Sequence, residues 1–140
     1  DPELRSEATG GLASRVSVHP AVRTALLARQ QAFANQPGGA VLDGRDIATV
    51  IAPHAHAKLF VTASVAARAL RRFMEMRKRG EDVTREAIEA DLAARDERDR
   101  TRATAPLVQA PGAALLDTSA LGPEAAVAAA IALVEKQLGR

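Results

Sequence analysis

Short apolar segments alternate with helix-forming segments along this chain, and that alternation constrains the fold more than any other feature. The apolar segments predict three strands, at residues 40–42, 58–62 and 113–116. Strands separated by helices indicate an α/β domain with a parallel sheet flanked by helices. In such sheets ligands bind beyond the carboxyl ends of the strands, where Asp43–Asp46 and Asp117–Ser119 follow two of the predicted strands.

Helix start and stop signals surround these strands. Pro20 and Pro123 each suit the first position of a helix, and Ser64 and Thr84 suit N-caps for two helices that Gly80 separates. The first of these helices runs to the break at residues 37–39, and the third continues into an arginine-rich segment. The closing helix carries one apolar stripe, made of Val127, Ile131, Val134 and Leu138.

Composition limits the classes of protein that the chain can belong to. With 140 residues, 47% of them hydrophobic, the chain can bury one core and forms one domain or most of one. The absence of cysteine excludes disulfides and thiolate metal sites and fits a cytoplasmic location. The longest apolar run, residues 125–134, is shorter than the roughly 20 residues of a membrane-spanning helix. Three aromatic residues are too few for a platform that stacks nucleic-acid bases.

The positive charge is carried almost entirely by arginine. Lys and Arg together number 19, and the only lysines are Lys58, Lys78 and Lys136. A bias in the genome's base composition would produce this excess, and so would selection for bidentate binding of phosphate. Composition therefore permits an anionic small-molecule partner without establishing one.

Residues 95–102 contain four arginines and three acidic residues in eight positions. If the preceding helix continues through them, Arg95, Asp99 and Arg102 lie on one face, because they are four and three residues apart. Two guanidinium groups beside a carboxylate suit a nucleotide, since the arginines can bind phosphate and the carboxylate can accept from sugar hydroxyls. A solvated, ion-paired helix end is the alternative interpretation of the same segment.

Weaker patterns point the same way. In Asp43–Asp46, a glycine followed by arginine and aspartate at the end of a strand could offer a donor and an acceptor to a ligand, although a plain turn needs only the glycine. Arg23 lies near the start of a helix, where the macrodipole disfavours a cation, so another group could hold it there, although a freely solvated side chain is the more common outcome. The arginines of residues 68–79 form a cationic face that is solvated by default. His54 and His56 lack further metal ligands nearby in sequence, and no metal site is predicted.

In this order, the segments resemble the bacterial cytidylate kinase family. The matching segments are residues 41–50 (VLDGRDIATV), 58–64 (KLFVTAS), 71–72 (RR), 80–83 (GEDV), 95–102 (RDERDRTR), 105–107 (APL) and 116–119 (LDTS). The resemblance implies a P-loop nucleoside-monophosphate kinase fold with a mobile lid. It also implies phosphoryl transfer from ATP, with Mg²⁺, to CMP or dCMP.

The resemblance also assigns site residues. Those that resemble cytosine-recognition residues are Ser14, Arg23 and Asp46. Arg45 and Arg102 resemble ligands of the substrate phosphate, and Arg95 and Asp99 resemble residues at the ribose and the adjoining phosphate. Arg71 and Arg72, in a lid at about residues 71–84, resemble arginines that meet the transferring phosphoryl group. Arg45, Arg71, Arg72 and Arg102 are therefore the expected catalytic set.

Two departures from the family pattern qualify the resemblance. Ala48 stands where the family usually has glycine, and the 140 residues contain no G-x-x-x-x-G-K-[ST] motif. We therefore expect the chain to be the C-terminal portion of such an enzyme, without the N-terminal strand and P-loop, and to be inactive by itself. Residues 1–19 would be the remainder of the substrate-binding subdomain, and residues 20–140 the core domain.

The resemblance implies ATP and CMP or dCMP as partners of a cytoplasmic monomer that binds neither nucleic acid nor membrane. The alternative function is a non-catalytic module that keeps the nucleotide cleft and binds a nucleotide or nucleic acid.

Overall fold

The computed structural model describes residues 7–101 and 107–140. Its elements are, in chain order, α1 (Glu7–Val16), α2 (Pro20–Ala34), a single π-helical turn (Ile47–Ile51), β1 (Leu59–Thr62), α3 (Val65–Lys78), α4 (Arg85–Thr101), β2 (Ala114–Asp117) and α5 (Pro123–Leu138). The chain divides into two compact units, Asp1–Ala52 (unit 1) and Pro53–Arg140 (unit 2). The division predicted from the sequence, at residues 19 and 20, stays a prediction.

Unit 1 is helical over its described residues. Pro20 opens α2, as predicted, since the proline ring presets the helical φ and its missing N–H needs no partner there. Gly38 and Gly39 follow the helix with φ angles of 91° and 84°, a conformation that excludes further helix. α2 packs against the π-helical turn, in which Ile51 is buried.

The predicted strand at residues 40–42 is wrong. These residues have no regular secondary structure, and the Val41 side chain is 96% exposed. A strand exists only where a neighbour completes its hydrogen bonds, and no other extended segment occurs among residues 7–52 of unit 1. Three apolar residues in a row predicted a buried strand, whereas Val41 is exposed and Ala40 and Leu42 are only half-buried.

The other two predicted strands are confirmed and form the sheet of unit 2. β1 and β2 pair in parallel, with Leu59 opposite Ala114 and Thr62 opposite Asp117. Thr118 extends the pairing, because both its backbone N–H and its hydroxyl donate to the carbonyl of Thr62, at 2.8 and 3.0 Å. The parallel arrangement puts the loops after both strands at one end of the sheet.

Helices α3 and α4 form a hairpin beside the sheet. The Ser64 and Thr84 hydroxyls accept hydrogen bonds from the backbone N–H groups of Ala67 and Ala87, each at 3.2 Å, which confirms both predicted N-caps. Gly80, at φ 80°, lies in the predicted break between the helices. The two helices pack through a small core formed by Ala69, Ile88 and Leu92, with Val65, Phe73, Met76 and Val83 around it.

α5 begins at Pro123 as predicted and ends at Gly139, which has a left-handed φ of 70°. The Gln137 amide accepts from the backbone N–H of Lys58 and donates to its carbonyl, at 3.0 and 3.1 Å, and so ties α5 to the start of β1. The half-buried face that includes Gln137 also carries Ala126, Ala130 and Leu133. The predicted stripe lies largely outside this face, since Val127, Ile131 and Leu138 are exposed.

Candidate functional site

Arg23 and Asp46 form an ion pair in unit 1, although 23 residues separate them. A second guanidinium nitrogen of Arg23 donates to the carbonyl of Ser17 at 3.4 Å. The Asp46 side chain is 15% exposed and that of Arg23 is 34% exposed, so the pair is only partly open to solvent. The carboxylate is the group that holds a cation in the first turn of α2. Donors and acceptors are thus side by side where the sequence predicted base recognition.

The turn that carries Asp46 has a tight geometry. A side-chain carbon on Gly44 would lie 3.0 Å from Cγ1 of Ile47, a contact that glycine avoids. The carbonyl of Asp46 accepts the N–H groups of Val50 and Ile51 at 2.8 and 3.2 Å, which starts the π-helical turn. Such turns are rare and occur frequently at functional sites. Arg45, which stands between Gly44 and Asp46 in the sequence, is half-buried.

On α4, Arg95 and Asp99 lie one turn apart. Nε of Arg95 is 3.9 Å from a carboxylate oxygen of Asp99, whose side chain is only 13% exposed. The predicted continuation of the helix through the arginine-rich segment is confirmed as far as Thr101. Arg100 instead pairs with Glu97 on an exposed part of the helix.

The structure gives little or no information on two of the predicted site residues. Ser14 falls within α1 by its backbone, and Arg102 lies outside the described residues. Their roles stay predictions.

Arg71 and Arg72 lie in the second turn of α3. The Arg71 guanidinium donates to the carbonyl of Thr118 and, at 3.3 Å, to the Thr118 hydroxyl and the Leu121 carbonyl. It therefore links α3 to the loop after β2. Arg72 is half-buried on the same helix.

The loops after the two strands are joined by side-chain hydrogen bonds. The Ser119 hydroxyl accepts from the backbone N–H of Ser64 at 2.7 Å and donates to the carboxylate of Asp117 at 2.5 Å. The Ser119 hydroxyl and backbone N–H together hold the pKa of Asp117 below its usual range. This end of the sheet is thus fixed by polar contacts.

Sequence reasoning missed one contact, the fork between Arg68 on α3 and Asp96 on α4. The two terminal guanidinium nitrogens donate to the two carboxylate oxygens at 2.9 and 2.5 Å. The Arg68 hydrogen bond holds the pKa of Asp96 below its usual range, and the same bond raises the pKa of Arg68. A signal existed in the sequence, because Asp96 continues the stripe of Ile88 and Leu92 at four-residue spacing.

Within the two described ranges, no cluster of three or more acidic, histidine or cysteine side chains could hold a metal ion. The same ranges include no helix that is both long and apolar enough to cross a bilayer.

The described residues define an α/β protein that carries a parallel sheet, a helical hairpin and several paired arginine and carboxylate side chains. A family model described as cytidylate kinase matches residues 1–136. The cytidylate kinase of Xanthobacter autotrophicus is 60% identical over 142 residues, covering 100% of this chain and 68% of the relative.

Other relatives give the same result. The cytidylate kinase of Rhodopseudomonas palustris (strain TIE-1) is 56% identical over 135 residues, covering 96% of this chain and 64% of the relative. That of Caulobacter sp. (strain K31) is 52% identical over 139 residues, covering 99% of this chain and 64% of the relative. The chain spans about two-thirds of the length of these relatives.

The chain belongs to the cytidylate kinase family, whose members are nucleoside-monophosphate kinases and therefore phosphotransferases. The resemblance stated from the sequence motifs is confirmed, and with it the enzyme class.

Proposed function

We propose that the protein carrying this chain transfers the γ-phosphoryl group of ATP to CMP or dCMP and so produces CDP or dCDP. Membership of the cytidylate kinase family supports this activity. The observation that carries the proposal is the Arg23–Asp46 pair, which puts a guanidinium and a carboxylate together in a partly closed place.

Cytosine and uracil differ at the edge that this pair would read. Cytosine has an exocyclic amino group, which can donate a hydrogen bond to the Asp46 carboxylate. It also has acceptor atoms, to which Arg23 or the Ser14 hydroxyl can donate. Uracil presents a carbonyl where cytosine has the amino group, so the Asp46 carboxylate would face another acceptor and could not accept a hydrogen bond from the base. Two acceptors that face each other in a partly buried site give strong discrimination against the wrong substrate.

The remaining assigned residues would bind the phosphate and sugar. Arg45 and Arg102 are the proposed ligands of the acceptor phosphate, because arginine forms bidentate, charge-assisted hydrogen bonds with phosphate oxygens. Arg95 and Asp99, already paired on α4, are proposed at the ribose and the adjoining phosphate. The Asp99 carboxylate can accept from sugar hydroxyls.

Transfer itself would proceed by positioning and charge neutralisation, without a covalent intermediate. The attacking oxygen belongs to the CMP phosphate, which is already ionised, so this step needs no general base from the protein. In-line placement of donor and acceptor, together with arginines around the transferring group, accounts for most catalysis of this type. Arg71 and Arg72 are the proposed arginines of the lid, and Arg71 would exchange its carbonyl partners for phosphate oxygens.

Magnesium is proposed to arrive with the phosphates of ATP. Mg²⁺ in kinases is held mainly by phosphate oxygens, water and one or two carboxylates, so it needs no all-protein site. The residues described here do not form such a site by themselves. No P-loop motif occurs in the 140 residues, and apart from the lid arginines Arg71 and Arg72 no residue among them is proposed to bind the phosphates of ATP. We further propose a cytoplasmic monomer without nucleic-acid partners.

The experiment that tests this function changes the base-reading carboxylate. In the protein carrying this chain, Asp46→Ala should raise the KM for CMP by about 10- to 100-fold, as expected for a lost hydrogen bond to a charged group. The ratio of kcat/KM for CMP over UMP should fall in parallel, because the cytosine edge would no longer be read.

The control is Glu135→Ala, which removes an exposed carboxylate on α5 that has no proposed role in the site and should change neither value. Asp46→Asn and thermal unfolding of all three variants separate loss of recognition from loss of folding. Unchanged discrimination in folded Asp46 variants would remove Asp46 from base recognition, and CMP binding without ADP formation by the unmutated protein would favour the non-catalytic alternative.

A further inference from the structure

The Arg68 side chain, on α3, bonds both to the residue that follows β1 and to α4. Its Nε donates to the carbonyl of Ala63, directly after β1, at 3.0 Å. Its two terminal nitrogens reach the two oxygens of Asp96 on α4. Since Arg68 itself belongs to α3, one guanidinium connects the end of the strand with both helices.

Asp96 lies on α4 close to Arg95 and Asp99, the residues proposed to bind the sugar and phosphate. Asp96 directly follows Arg95 and precedes Asp99 by three residues, so all three lie within about one turn of helix. Earlier in α4, Ile88 and Leu92 pack against Ala69 and fix the helix by apolar contact. No buried apolar residue follows Leu92 in α4, and the contact between the two helices is continued one turn later by the ion pair of Arg68 and Asp96.

A fork of this kind specifies geometry more than it adds stability. The side chains of Arg68 and Asp96 are 33% and 39% exposed, so solvent screening leaves the pair only a small contribution to stability. A planar guanidinium that makes two parallel bonds to a carboxylate nevertheless fixes both the distance and the angle between the partners. The lowered pKa of Asp96 is consistent with a carboxylate that stays ionised in this contact.

We propose that Arg68 and Asp96 are a positioning pair, which sets the rotation and height of the α4 turn that presents Arg95 and Asp99 to the sugar and phosphate of the nucleotide. Neither residue of the pair needs to touch the substrate. The inference rests on the proposed function, since the sugar and phosphate roles of Arg95 and Asp99 belong to it.

The test measures nucleotide binding by calorimetry, which does not depend on phosphoryl transfer. Arg68→Lys keeps the charge but cannot form the fork, and Asp96→Asn keeps the shape but loses the charge. Each should weaken CMP binding by about 5- to 20-fold, as expected when charge-assisted contacts become misaligned. Each should also change the ratio of the CMP affinity to the dCMP affinity, because the contacts of Arg95 and Asp99 with the sugar would move.

The double variant Arg68→Lys with Asp96→Asn should be no worse than the poorer single variant, because both changes remove the same contact. Glu89→Gln is the matched control, since it removes an ion pair with Arg85 on the same helix, at 4.0 Å, away from the fork. It should change neither affinity.

Thermal unfolding distinguishes positioning from folding. Variants that unfold at lower temperature but keep the CMP affinity and the CMP to dCMP ratio would overturn the inference and leave the proposed function intact. Additive losses in the double variant would also overturn it. Weakened binding by the single variants in a protein that binds CMP but does not phosphorylate it would support the positioning role and contradict the kinase activity.

Discussion

Arg23 shows how a residue that is unfavourable in its own element reports a tertiary contact. A cation in the first turn of a helix opposes the macrodipole, and the cost is offset here by the carboxylate of Asp46. The sequence left two interpretations of Arg23 open, a freely solvated side chain or one held by another group. The family resemblance put Arg23 and Asp46 at the same site, but their ion pair was not predicted, because local patterns do not reveal which carboxylate the intervening residues bring to the helix.

The arginine-rich segment of α4 supports a prediction with an internal control. Arg102→Ala should lower kcat/KM for CMP by about 10- to 100-fold, because a phosphate ligand would lose its charge-assisted bonds. Arg100→Ala should lower it by less than about twofold, because exposed ion pairs such as Arg100–Glu97 contribute little. Steady-state kinetics of the two variants checks both values. Equal, small losses would make the segment a solvated helix end.

At the level of elements, helices α3 and α4 follow their local signals closely. Both N-caps, the Gly80 break and the buried positions Ile88 and Leu92 could be predicted, because each depends on residues within a few positions of the element. The Arg68–Asp96 fork could not be predicted from either helix alone. It depends on how the two helices align, which the packing around Ala69 decides.

The fork predicts a pH dependence of folding. The pKa of Asp96 is lower in the folded protein than in the unfolded chain, so its stabilisation is complete above the unfolded value of about 3.9 and is lost as pH falls through the lowered folded value. Asp96→Asn should therefore reduce the free energy of unfolding by about 1 kcal/mol near neutral pH, and the difference should shrink below about pH 4.

Urea unfolding of the unmutated protein and the Asp96→Asn variant, from neutral pH to about pH 2, measures this difference in the free energy of unfolding. The contributions of the other carboxylates are the same in both proteins and cancel. A difference that stays constant down to about pH 2 would contradict the account of Asp96 as an ionised partner of Arg68.

At the scale of the whole molecule, the strand signals were reliable only where a partner strand exists. Residues 58–62 and 113–116 pair with each other, so their apolar character corresponds to β1 and β2. Residues 40–42 have the same character but no partner among the described residues of unit 1, and the strand is not formed. In α5 the helix was predicted correctly, whereas three of the four residues of its predicted apolar stripe, Val127, Ile131 and Leu138, are exposed.

The protein carrying this chain is proposed to be a kinase that selects the cytosine base. Initial rates of ADP formation, measured with ATP, Mg²⁺ and either CMP or UMP on the protein carrying this chain, test this proposal most directly. We expect a kcat/KM for CMP that exceeds the value for UMP by at least about 100-fold, since Asp46 would accept from the cytosine amino group and face a carbonyl in uracil. Equal values for the two nucleotides, or no ADP formation with CMP, would contradict the proposal.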